Sequence, residues 1–550
     1  MTVLNNNDTG SDGHDYSKVI EIGDGLIMRW STKADSDNVV ELIGDSFRWF
    51  PFGDPKPEDA VPGPSEFLKA AARRLLSGKS SAMSEYDYAL VEDTNNKAKG
   101  KNPIVACVSL HNVPAYYGSV NVMFGKPELI ATEPSYRSKG LVRRLMFEMI
   151  HPASDAKGHI LQLIPGIHYF YRQFGYEYGL AQLPSIKVDS NDITPLSPTA
   201  AQERYLLRLA TQADIPFLIR LTQNPNQYLQ PHDAAVGTRY TPDYWQYIVH
   251  DSFLDRQNRF DNDRQTFIIT DGEGGKEVGF ATLSHMLFGP RVEAFALDDG
   301  VHYFDVAYSA LRQLFVFAKE RKAQNLKALE EYKKTSSSTK KSEEPTSTTE
   351  AAQASEPAAS KPFFLTLEQH PKHPLIQLLG TKAKSLSMGA NLPGSRLYTR
   401  INSYPLFLKT VRPELERRLA QNPATAGTTC RLRLDFFRKV EGNTGKGLEI
   451  IIEKGQLVKI HDWAKPSLED LFAEKQVWKV EEKKNGGAKA PTVYYATFAP
   501  LTFTQLVTGK QSVEELIWSY GENSASDDNA RLVLNTLFPK VDHTMDIFFW

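Results

Sequence analysis

The sequence predicts a mixed α/β (α+β) protein of several domains, and three observations support this class. Short apolar segments typical of strands alternate with segments whose apolar residues recur at the helical period of 3.6 residues. This alternation starts afresh near Tyr205 and again near Asn402. The 550 residues also exceed the length that one hydrophobic core organises. We therefore expect three folded units in series.

The composition is that of an ordinary globular protein, and it limits the partners to expect. The net charge of −2 and the pI of about 6.7 argue against a nucleic-acid partner. The two cysteines, Cys107 and Cys430, are too few and too far apart for a disulfide framework. No apolar run approaches the roughly 20 residues of a membrane span, and the polar first residues do not resemble a signal peptide. We expect a cytoplasmic protein with no membrane span.

The first folded unit is predicted over residues 25–200. Residues 1–24 before it are polar and rich in Asn, Asp and Gly, so we expect them to be disordered. A proline-rich loop is expected at Pro51–Pro64. Apolar patterns predict strands at Leu26–Trp30, Tyr86–Val91, Ile104–Leu110 and His159–Leu163, and helices at Asp35–Phe47 and Ser65–Leu76.

The chain from Pro127 to Ile150 carries the clearest local signal. A short strand at Leu129–Thr132 leads through a turn at Pro134–Tyr136 to the sequence RSKGLV and then to a helix. The helix is predicted because apolar residues recur in adjacent pairs spaced by four, namely Leu141, Val142, Leu145, Met146, Met149 and Ile150. The N–H groups of a first helical turn lack intrahelical partners, and the helix dipole favours an anion there.

The residues around this helix start fit a phosphate group. Gly140 lets the backbone come close to a ligand. Positive charge is added by four side chains, those of Arg137, Lys139, Arg143 and Arg144. The sequence therefore predicts a phosphate-binding turn at the start of the helix.

This segment resembles the acetyl-CoA motif of the GNAT N-acetyltransferases, (Gln or Arg)-x-x-Gly-x-(Gly or Ala). Arg137 stands at its first position and Gly140 at its fourth, whereas Val142 departs from the small residue at its last position. The sequence FYRQFGYE at Phe170–Glu177 resembles a second, aromatic GNAT motif in the expected order and spacing. The resemblance implies a GNAT fold and an N-acetyltransferase that uses acetyl-CoA as co-substrate and an amine as acceptor.

The resemblance also implies roles for individual residues. The turn would hold the CoA diphosphate, and the backbone of the preceding strand would hold the pantetheine arm and face the developing oxyanion. The predicted cofactor-binding residues are Ile130, Ala131, Thr132, Arg137, Ser138, Lys139, Gly140, Leu141, Val142, Arg143, Gly166 and Ile167. Tyr171 would be the general acid that protonates the CoA thiolate, and no metal is expected. The other aromatic residues of this motif are interpreted as core residues: Tyr169, Phe170, Phe174 and Tyr176.

The second unit, predicted over residues 201–401, repeats the pattern of the first and resembles a degenerate GNAT copy. Where the first unit has its basic turn, this one has Asp298 and Asp299, which would repel a diphosphate. A low-complexity insertion at Thr335–Lys361 is expected to be disordered. Strands are predicted at Leu206–Leu209, Thr266–Thr270, Val278–Ser284 and Phe363–Leu367, and helices at Ala213–Leu221, Tyr303–Tyr332 and Pro374–Leu379.

The third unit, predicted over residues 402–550, resembles the sterol-carrier-protein-type fold. Helices are predicted at Pro405–Leu419, Leu501–Val507 and Ser512–Trp518, and strands at Cys430–Phe437, Leu448–Glu453, Gln456–Ile460 and Val493–Phe498. The order of the three units resembles the enhanced-intracellular-survival family. That resemblance implies a homo-oligomer, and it implies that the terminal carboxylate, here that of Trp550, is the general base. The sequence ends in four large apolar residues, Ile547–Trp550, and this terminus is expected to be buried.

The residues leave several alternatives open. His151 and His168 flank the two motifs and could titrate near neutral pH, but each is interpreted first as structural, with His168 the reserve candidate for the base. The acceptor could be a small molecule or a lysine side chain. A transferase for a longer acyl chain is one alternative, and a non-catalytic protein that binds CoA or lipid is another.

Overall fold

The computed structural model describes residues 14–47, 65–79, 82–183, 185–198, 200, 202–224, 236–251, 264–272, 274–286, 289–338, 363–370, 372–380, 387–388, 396–437, 446–466 and 492–546. Within these ranges the fold is mixed α/β, as the sequence predicted. The predicted loop at Pro51–Pro64 lies outside these ranges. So do Trp550 and the three residues before it.

The strands are listed here in chain order. They are β1 Val19–Gly23, β2 Leu26–Trp30, β3 Tyr88–Asp93, β4 Ile104–Tyr117, β5 Val120–Thr132, β6 Leu161–Ile164, β7 Glu177–Ala181, β8 Ser185–Asp189, β9 Tyr205–Leu209, β10 Val236–Thr238, β11 Gln265–Asp271, β12 Glu277–Met286, β13 Gly289–Leu297, β14 Phe364–Glu368, β15 Ser387–Met388, β16 Arg396–Arg400, β17 Cys430–Asp435, β18 Gly447–Glu453, β19 Gln456–Asp462, β20 Thr492–Thr497, β21 Ser524–Ala525 and β22 His543–Thr544.

The α-helices follow the same convention. They are α1 Ser36–Ser46, α2 Glu66–Leu76, α3 Thr94–Ala98, α4 Leu141–Arg144, α5 His151–Ala156, α6 Ile215–Thr222, α7 Pro242–Gln246, α8 Tyr303–Ser338, α9 Pro374–Gly380, α10 Tyr404–Thr410, α11 Arg412–Gln421, α12 Thr502–Val507, α13 Val513–Ser519 and α14 Asp528–Leu537. A π-helical segment, Leu145–Ile150, joins α4 to α5. We call the continuous element from Leu141 to Ala156 the motif helix. Of the helices in the described ranges, none has the length and apolarity needed to cross a bilayer.

The first sheet has the order β1-β2-β3-β4-β5-β6-β16-β7, with β10 and β22 added beside the far end of β4. One face packs on the motif helix, where Val108 and Leu110 of β4 share a core with Leu145 and Met149. The other face of the sheet packs on α1 and α2, through a core that includes the buried Cys107. The site described below lies between these two layers of helices.

The N-terminal segment corrects one expectation. Residues 1–24 were expected to be disordered, but Val19–Gly23 forms β1 and pairs antiparallel with β2. The ring of Tyr16 packs edge-on against Trp30 at 5.8 Å between centroids, and its hydroxyl donates to Asp87 Oδ1 at 2.7 Å. These tertiary contacts are not visible in local composition, which is why the sequence missed the strand. Residues 1–13 lie outside the described ranges.

The second sheet has the order β15-β8-β14-β13-β12-β11-β9, and α8 packs across it. Helix α8 continues to Ser338, so it includes the first four residues of the insertion predicted as disordered from Thr335. The insertion from residue 339 to Lys361 lies outside the described ranges. The predicted strands and helices of this unit recur with end shifts of a few residues.

Strands cross the predicted boundaries between the first and second units. β8, which falls within 25–200, pairs with β14 of the second sheet. β16, which falls within 201–401, lies between β6 and β7 of the first sheet. β10 likewise pairs with β4. The boundaries at 200 and 401 therefore do not follow sheet membership, because pairing between distant strands leaves no mark on local periodicity.

The third sheet has the order β19-β18-β17-β20-β21 and is packed by α10–α14. The single helix predicted at Pro405–Leu419 is two helices, α10 and α11, with a break at Val411. Pro413 causes the break because it has no N–H to donate to the preceding turn. The core of this unit is continuous with Val113, Ala115 and Tyr117 of β4, so the third unit packs directly on the first sheet.

Candidate active site

Strands β5 and β6 separate at the centre of the first sheet. They pair in parallel at Phe124 with Leu161 and at Gly125 with Gln162, and no further. On its other edge, β6 pairs with β16 from Gln162 to Ile164. From Lys126 to Thr132 the edge of β5 that faces away from β4 therefore has no strand partner among the described residues. We call this opening the splay.

A β-bulge at Leu129 shapes the edge of the splay. The pairing with β4 runs from Cys107 opposite Ala131 to Ser109 opposite Glu128, so two residues of β5 oppose one of β4. Leu129 has a positive φ of 47°, which is uncommon for a residue with a side chain. Bulges bend a strand and redirect its backbone groups. Ile130, Ala131 and Thr132 follow the bulge directly and lie on the open edge.

The basic turn joins β5 to the motif helix. Ser138 (φ 62°) and Gly140 (φ 73°) have left-handed backbone conformations. Residues 137–140 are exposed, and a Cβ added at Gly140 would meet no atom within 4 Å, so a ligand can approach the backbone closely. Leu141 then starts the motif helix and is buried against the sheet. The turn thus presents helix-terminal N–H groups toward solvent beside the splay.

The four cations of this segment differ in their surroundings. Arg137 Nε lies 3.4 Å from the Thr132 carbonyl oxygen, and Lys139 Nζ lies 4.6 Å from the centre of the Tyr136 ring. Arg143 lies over the Phe147 ring and donates to the Gln173 carbonyl oxygen at 3.3 Å.

Arg144 differs from the other three. It is bound through two nitrogens to Glu148, at 2.6 and 3.0 Å. Its inclusion among the phosphate-facing charges is therefore a misjudgement, because Glu148 one helical turn later offsets its charge.

Tyr171 lies in a 3₁₀ turn, Phe170–Phe174, and its side chain is 6 % exposed. Burial, with a contribution from the Glu128 carboxylate, raises its pKa to about 12. Its hydroxyl makes no hydrogen bond to another residue in the described ranges. A Cβ added at Gly166 would lie 2.1 Å from the Tyr171 ring, so only glycine permits this ring position. The phenol is thus a neutral donor at physiological pH.

The other aromatic residues of the second motif divide into two groups. Phe174 and Tyr176 are buried, as expected. Tyr169 is 73 % exposed and Phe170 is 38 % exposed, so interpreting them as core residues was wrong. Ile167, in the predicted cofactor set, is 70 % exposed in the same loop. The loop turns outward at Tyr169, whose φ is 64°, and the hydrophobic pattern does not reveal this reversal.

A buried polar cluster on β4 and β5 was missed in the sequence. Lys126, only 1 % exposed, places Nζ 2.5 Å from Glu128 Oε2. His111 Nδ1 lies 3.8 Å from the same oxygen, and His111 Nε2 is 3.0 Å from Ser109 Oγ. Ser109 in turn donates to the Glu128 backbone carbonyl at 2.7 Å. Burial, with the Lys126 ammonium, lowers the pKa of His111 well below its usual range.

The position of this cluster makes it part of the candidate site. Ser109 faces Glu128 and His111 faces Lys126 across the ladder, so all four share one face of the sheet. Val108 and Leu110 alternate with them and face the motif helix. The cluster therefore lies on the opposite face, beside the splay. Its signal in the sequence was two charges, Lys126 and Glu128, directly before the predicted strand Leu129–Thr132, which in the structure starts at Val120.

The two histidines considered from the sequence lie in different environments. His151 is buried and lies 3.0 Å from Gln162 Oε1, and burial together with Arg400 lowers its pKa to about 3. His168 is exposed and bonds to the Tyr178 hydroxyl at 3.0 Å.

The carboxy-terminal segment approaches the first sheet. β22 is parallel to β10, and β10 is antiparallel to β4. Met545 bridges to Gln182, and the Asp546 N–H donates to Thr238 Oγ1 at 3.0 Å. The segment therefore runs beside β10, in the direction that leads from Tyr117 toward Pro114 on the neighbouring β4.

In the second unit, the two acidic residues of the corresponding turn are hydrogen-bonded to neighbouring side chains. Asp298 accepts two hydrogen bonds from Arg220, at 2.5 and 2.9 Å, and these lower its pKa. Asp299 accepts a hydrogen bond from Asn224 at 2.9 Å.

Comparison with known proteins agrees with this geometry. Residues 29–179 match the family model described as an acetyltransferase (GNAT) domain. These residues form a GNAT acetyltransferase domain. The chain is accordingly an acyltransferase, and a GNAT domain implies acyl-CoA and an acceptor as substrates. The splay, the turn and Tyr171 all lie within the matched residues.

Solved structures share the fold over nearly the whole chain. A GCN5-related N-acetyltransferase from Kribbella flavida and a probable N-acyltransferase from Enterococcus faecalis V583 each superpose with a TM-score of 0.55 at 13 % identity, covering 95 % of this chain and 98 % of theirs. A GCN5-related N-acetyltransferase from Anabaena variabilis gives 0.52 at 12 % identity, covering 94 % and 99 %. No curated protein sequence matches the chain. At these identities the structural matches establish the fold alone.

Proposed function

We propose that the protein transfers an acetyl group from acetyl-CoA to a primary amine, by direct attack of the amine on the thioester. The observation that carries this proposal is the splay, with the exposed basic turn after the open edge of β5 and with Tyr171 close enough to Glu128 of β5 for that carboxylate to raise its pKa. The order of the three units supports membership of the enhanced-intracellular-survival-like group, with a sterol-carrier-like third unit. We place the enzyme in the cytoplasm.

The turn and the open edge of β5 would bind the two ends of the CoA arm. Backbone N–H groups from Ser138 to Arg143, with the side chains of Arg137 and Lys139, provide donors for the diphosphate. Ile130, Ala131 and Thr132 offer unpaired backbone groups to the pantetheine amides. A backbone N–H at the bulge can also face the thioester oxygen as negative charge develops on it.

The chemistry needs one base and one acid. The acceptor ammonium first loses a proton to the base, and its nitrogen then forms a bond to the thioester carbon. The carbon–sulfur bond breaks, and the thiolate takes a proton from the acid. Tyr171 is the proposed acid, because its neutral phenol lies beside the splay with its hydroxyl unengaged.

We propose the terminal carboxylate of the 550-residue chain, at Trp550, as the base. Four residues follow Asp546, and four extended residues span at most about 13–14 Å. The segment up to Asp546 runs beside β10, in the direction that leads along β4 from Tyr117 toward His111. This supports the proposal, since His111 lies beside Glu128 and the splay.

Glu128 is proposed to bind the acceptor as a cation. Its carboxylate is 18 % exposed, lies 2.5 Å from Nζ of the buried Lys126, and belongs to the part of β5 that borders the splay. An ammonium group that approaches the splay would therefore meet a carboxylate before it meets the base. This gives the site a preference for amines that arrive protonated.

Replacing Tyr171 with Phe is expected to lower kcat by about 10²–10⁴-fold, the usual contribution of a general acid. The affinity for acetyl-CoA should hardly change, because the hydroxyl is needed only as the thiolate departs. Steady-state kinetics and calorimetry measure the two effects separately. Tyr169→Phe is the matched control, since it removes an exposed hydroxyl from the same loop. A Tyr171→Phe variant with the wild-type kcat would contradict the role.

Replacing Glu128 with Gln is expected to raise KM for the amine about 10–150-fold, which corresponds to the roughly 1.5–3 kcal/mol of a charge-assisted contact. The value of kcat should change much less. Because the single change leaves Lys126 buried without its carboxylate, the double variant Glu128→Gln/Lys126→Met serves as the control for stability. An unchanged KM in both variants would exclude Glu128 from acceptor binding.

One experiment tests the proposed function as a whole. The purified protein is incubated with acetyl-CoA and a panel of polyamines, aminoglycosides and lysine peptides, and mass spectrometry follows the acetylated products. Parallel reactions use acyl-CoA with longer chains. N-acetylation of at least one amine, with poorer turnover of longer chains, is the expected result. Better turnover of a long chain would favour the alternative transferase, and CoA binding without transfer would favour the binding protein.

A further inference from the structure

Three carboxylates and two guanidinium groups meet where the second sheet contacts the carboxy-terminal segment. Arg264, 4 % exposed, places Nε 2.5 Å from Glu293 Oε2 and Nη2 4.0 Å from Asp546 Oδ1. Arg291 Nη1 contacts Glu368 Oε1. We call these five residues the junction cluster.

The junction cluster lines a small cavity between the units. Glu293, Glu368 and Asp546 line this cavity together with Tyr240 and Met545. Two of the carboxylates therefore come from β13 and β14 of the second sheet, and the third comes from the segment that follows β22.

Further contacts hold the same segment. His370 Nε2 lies 3.0 Å from Asp542 Oδ2, and Lys372 Nζ lies 3.7 Å from the same oxygen. On its other side, β22 pairs with β10 of the first sheet. The carboxy-terminal segment is thus held between the second unit and the first sheet, upstream of the residues that lead to Trp550.

The charges of the junction cluster do not balance without a proton. Three carboxylates face two guanidinium groups, and a buried unbalanced charge is costly. Burial, with the carboxylates of Glu293 and Asp546, raises the pKa of Glu368 to about 7, although Arg291 opposes the shift. Burial also raises the pKa of Glu293.

Other titratable groups of the described residues lie around the cluster. Tyr240 and Tyr244 are buried, and their pKa values are raised by burial, so they stay neutral at physiological pH. Lys187 of β8 lies on the same sheet face as Glu368 but is exposed. His370, two residues after Glu368, is paired with Asp542.

We propose that the junction cluster of the second unit positions the carboxy-terminal segment for the transfer reaction, and that one proton shared among its three carboxylates controls how firmly the segment is held. The effect on transfer rests on the function proposed above, in which that segment carries the base. It gives the second unit, which lacks a basic turn, a role in the reaction of the first.

The direction of the pH effect follows from the raised pKa. The docked state binds the shared proton more tightly than a released state does, so docking is strongest below the released pKa of a carboxyl group. It weakens as pH rises through about 7, where Glu368 ionises in the docked state. Each further unit of pH weakens docking by at most about tenfold until the segment releases.

Hydrogen exchange of the full chain, followed by mass spectrometry between pH 6 and 8.5, tests the proposal without needing an acceptor. After correction for intrinsic exchange, protection of the segment around Asp542–Asp546 should fall as pH passes 7 in the wild type. In Glu368→Gln the protection should stay higher than in the wild type above pH 7 and should depend less on pH. Glu277→Gln is the matched control, because Glu277 is an arginine-paired glutamate on β12 that is partly exposed. This control should behave as the wild type.

A second variant keeps the test informative if Glu368→Gln does not fold. Asp546→Asn removes the third carboxylate from the other side of the junction and should also reduce the pH dependence. Protection that does not change with pH in the wild type, or that changes equally in both variants, would overturn the proposal. With spermidine as probe amine, kcat should follow the same pH profile while KM for acetyl-CoA does not. If hydrogen exchange shows the expected pH dependence but kcat does not change with pH, the terminal carboxylate is not the base. The role of the junction cluster in holding the segment would then still be supported.

Discussion

Reversing two charges of the basic turn, in the double variant Lys139→Glu/Arg143→Glu, is expected to weaken acetyl-CoA binding by about 100-fold or more. Two charge-assisted contacts of about 1.5–3 kcal/mol each are lost, and repulsion is added. Calorimetry measures this loss directly. In the wild type it should also give a stoichiometry near one, because Asp298 and Asp299 occupy the corresponding turn of the second unit. Wild-type affinity should fall as salt rises, since the turn is exposed to solvent.

A charge-matched control separates local contacts from net charge. The variant Arg73→Glu/Arg144→Glu changes the net charge equally, but Arg73 is exposed on α2 and Arg144 is held by Glu148. It should bind acetyl-CoA nearly as the wild type does. Equal weakening of acetyl-CoA binding in both double variants would mean that the turn contributes only to the overall electrostatic field of the protein.

Extending the 550-residue chain by a short Gly-Ser segment is expected to lower kcat by about 10²–10⁴-fold, the usual contribution of a general base. The extension moves the terminal charge and alters no side chain of the first unit. Acetyl-CoA affinity and thermal stability should therefore persist. Steady-state kinetics, calorimetry and a melting curve on one preparation provide the three readouts.

An extension that ends in a carboxylate at a different distance is the best comparison. Deleting Trp550 is a poorer test, because it also removes a large apolar side chain. If the extended chain keeps the wild-type kcat, the base lies elsewhere, and His168 or Glu128 becomes the candidate.

Much of the fold could be predicted because it depends on local pattern. Helices such as α1 follow from apolar residues at Val39, Val40 and Ile43, which face the core on one side. The sequence could not predict the pairing of β16 with β6, since that contact joins distant residues. The apolar pattern also predicted one helix across Val411. The structure has two helices there, because Pro413 has no N–H to continue the helical hydrogen bonds.

The candidate site divides in the same way. Arg137, Gly140 and Tyr171 lie in motifs with fixed spacing, so their positions could be inferred from sequence. The cluster of His111, Lys126 and Glu128 depends on cross-strand register and on the bulge at Leu129, and neither has a local signature. Arg144 and Glu148 stand four residues apart on the predicted helix, so their ion pair could have been predicted from the sequence.

The position of β16 has a consequence for how the protein is made. Since β16 lies between β6 and β7, the ribosome releases both of these strands long before it releases the strand that joins them. The nascent chain must therefore carry an incomplete catalytic sheet through synthesis of the whole second unit. Unpaired strand edges in such intermediates invite association with other chains. A fragment that stops near residue 200 would lack β16 and keep these strand edges unpaired. The first unit therefore needs the chain of the second unit, up to β16, to complete its sheet.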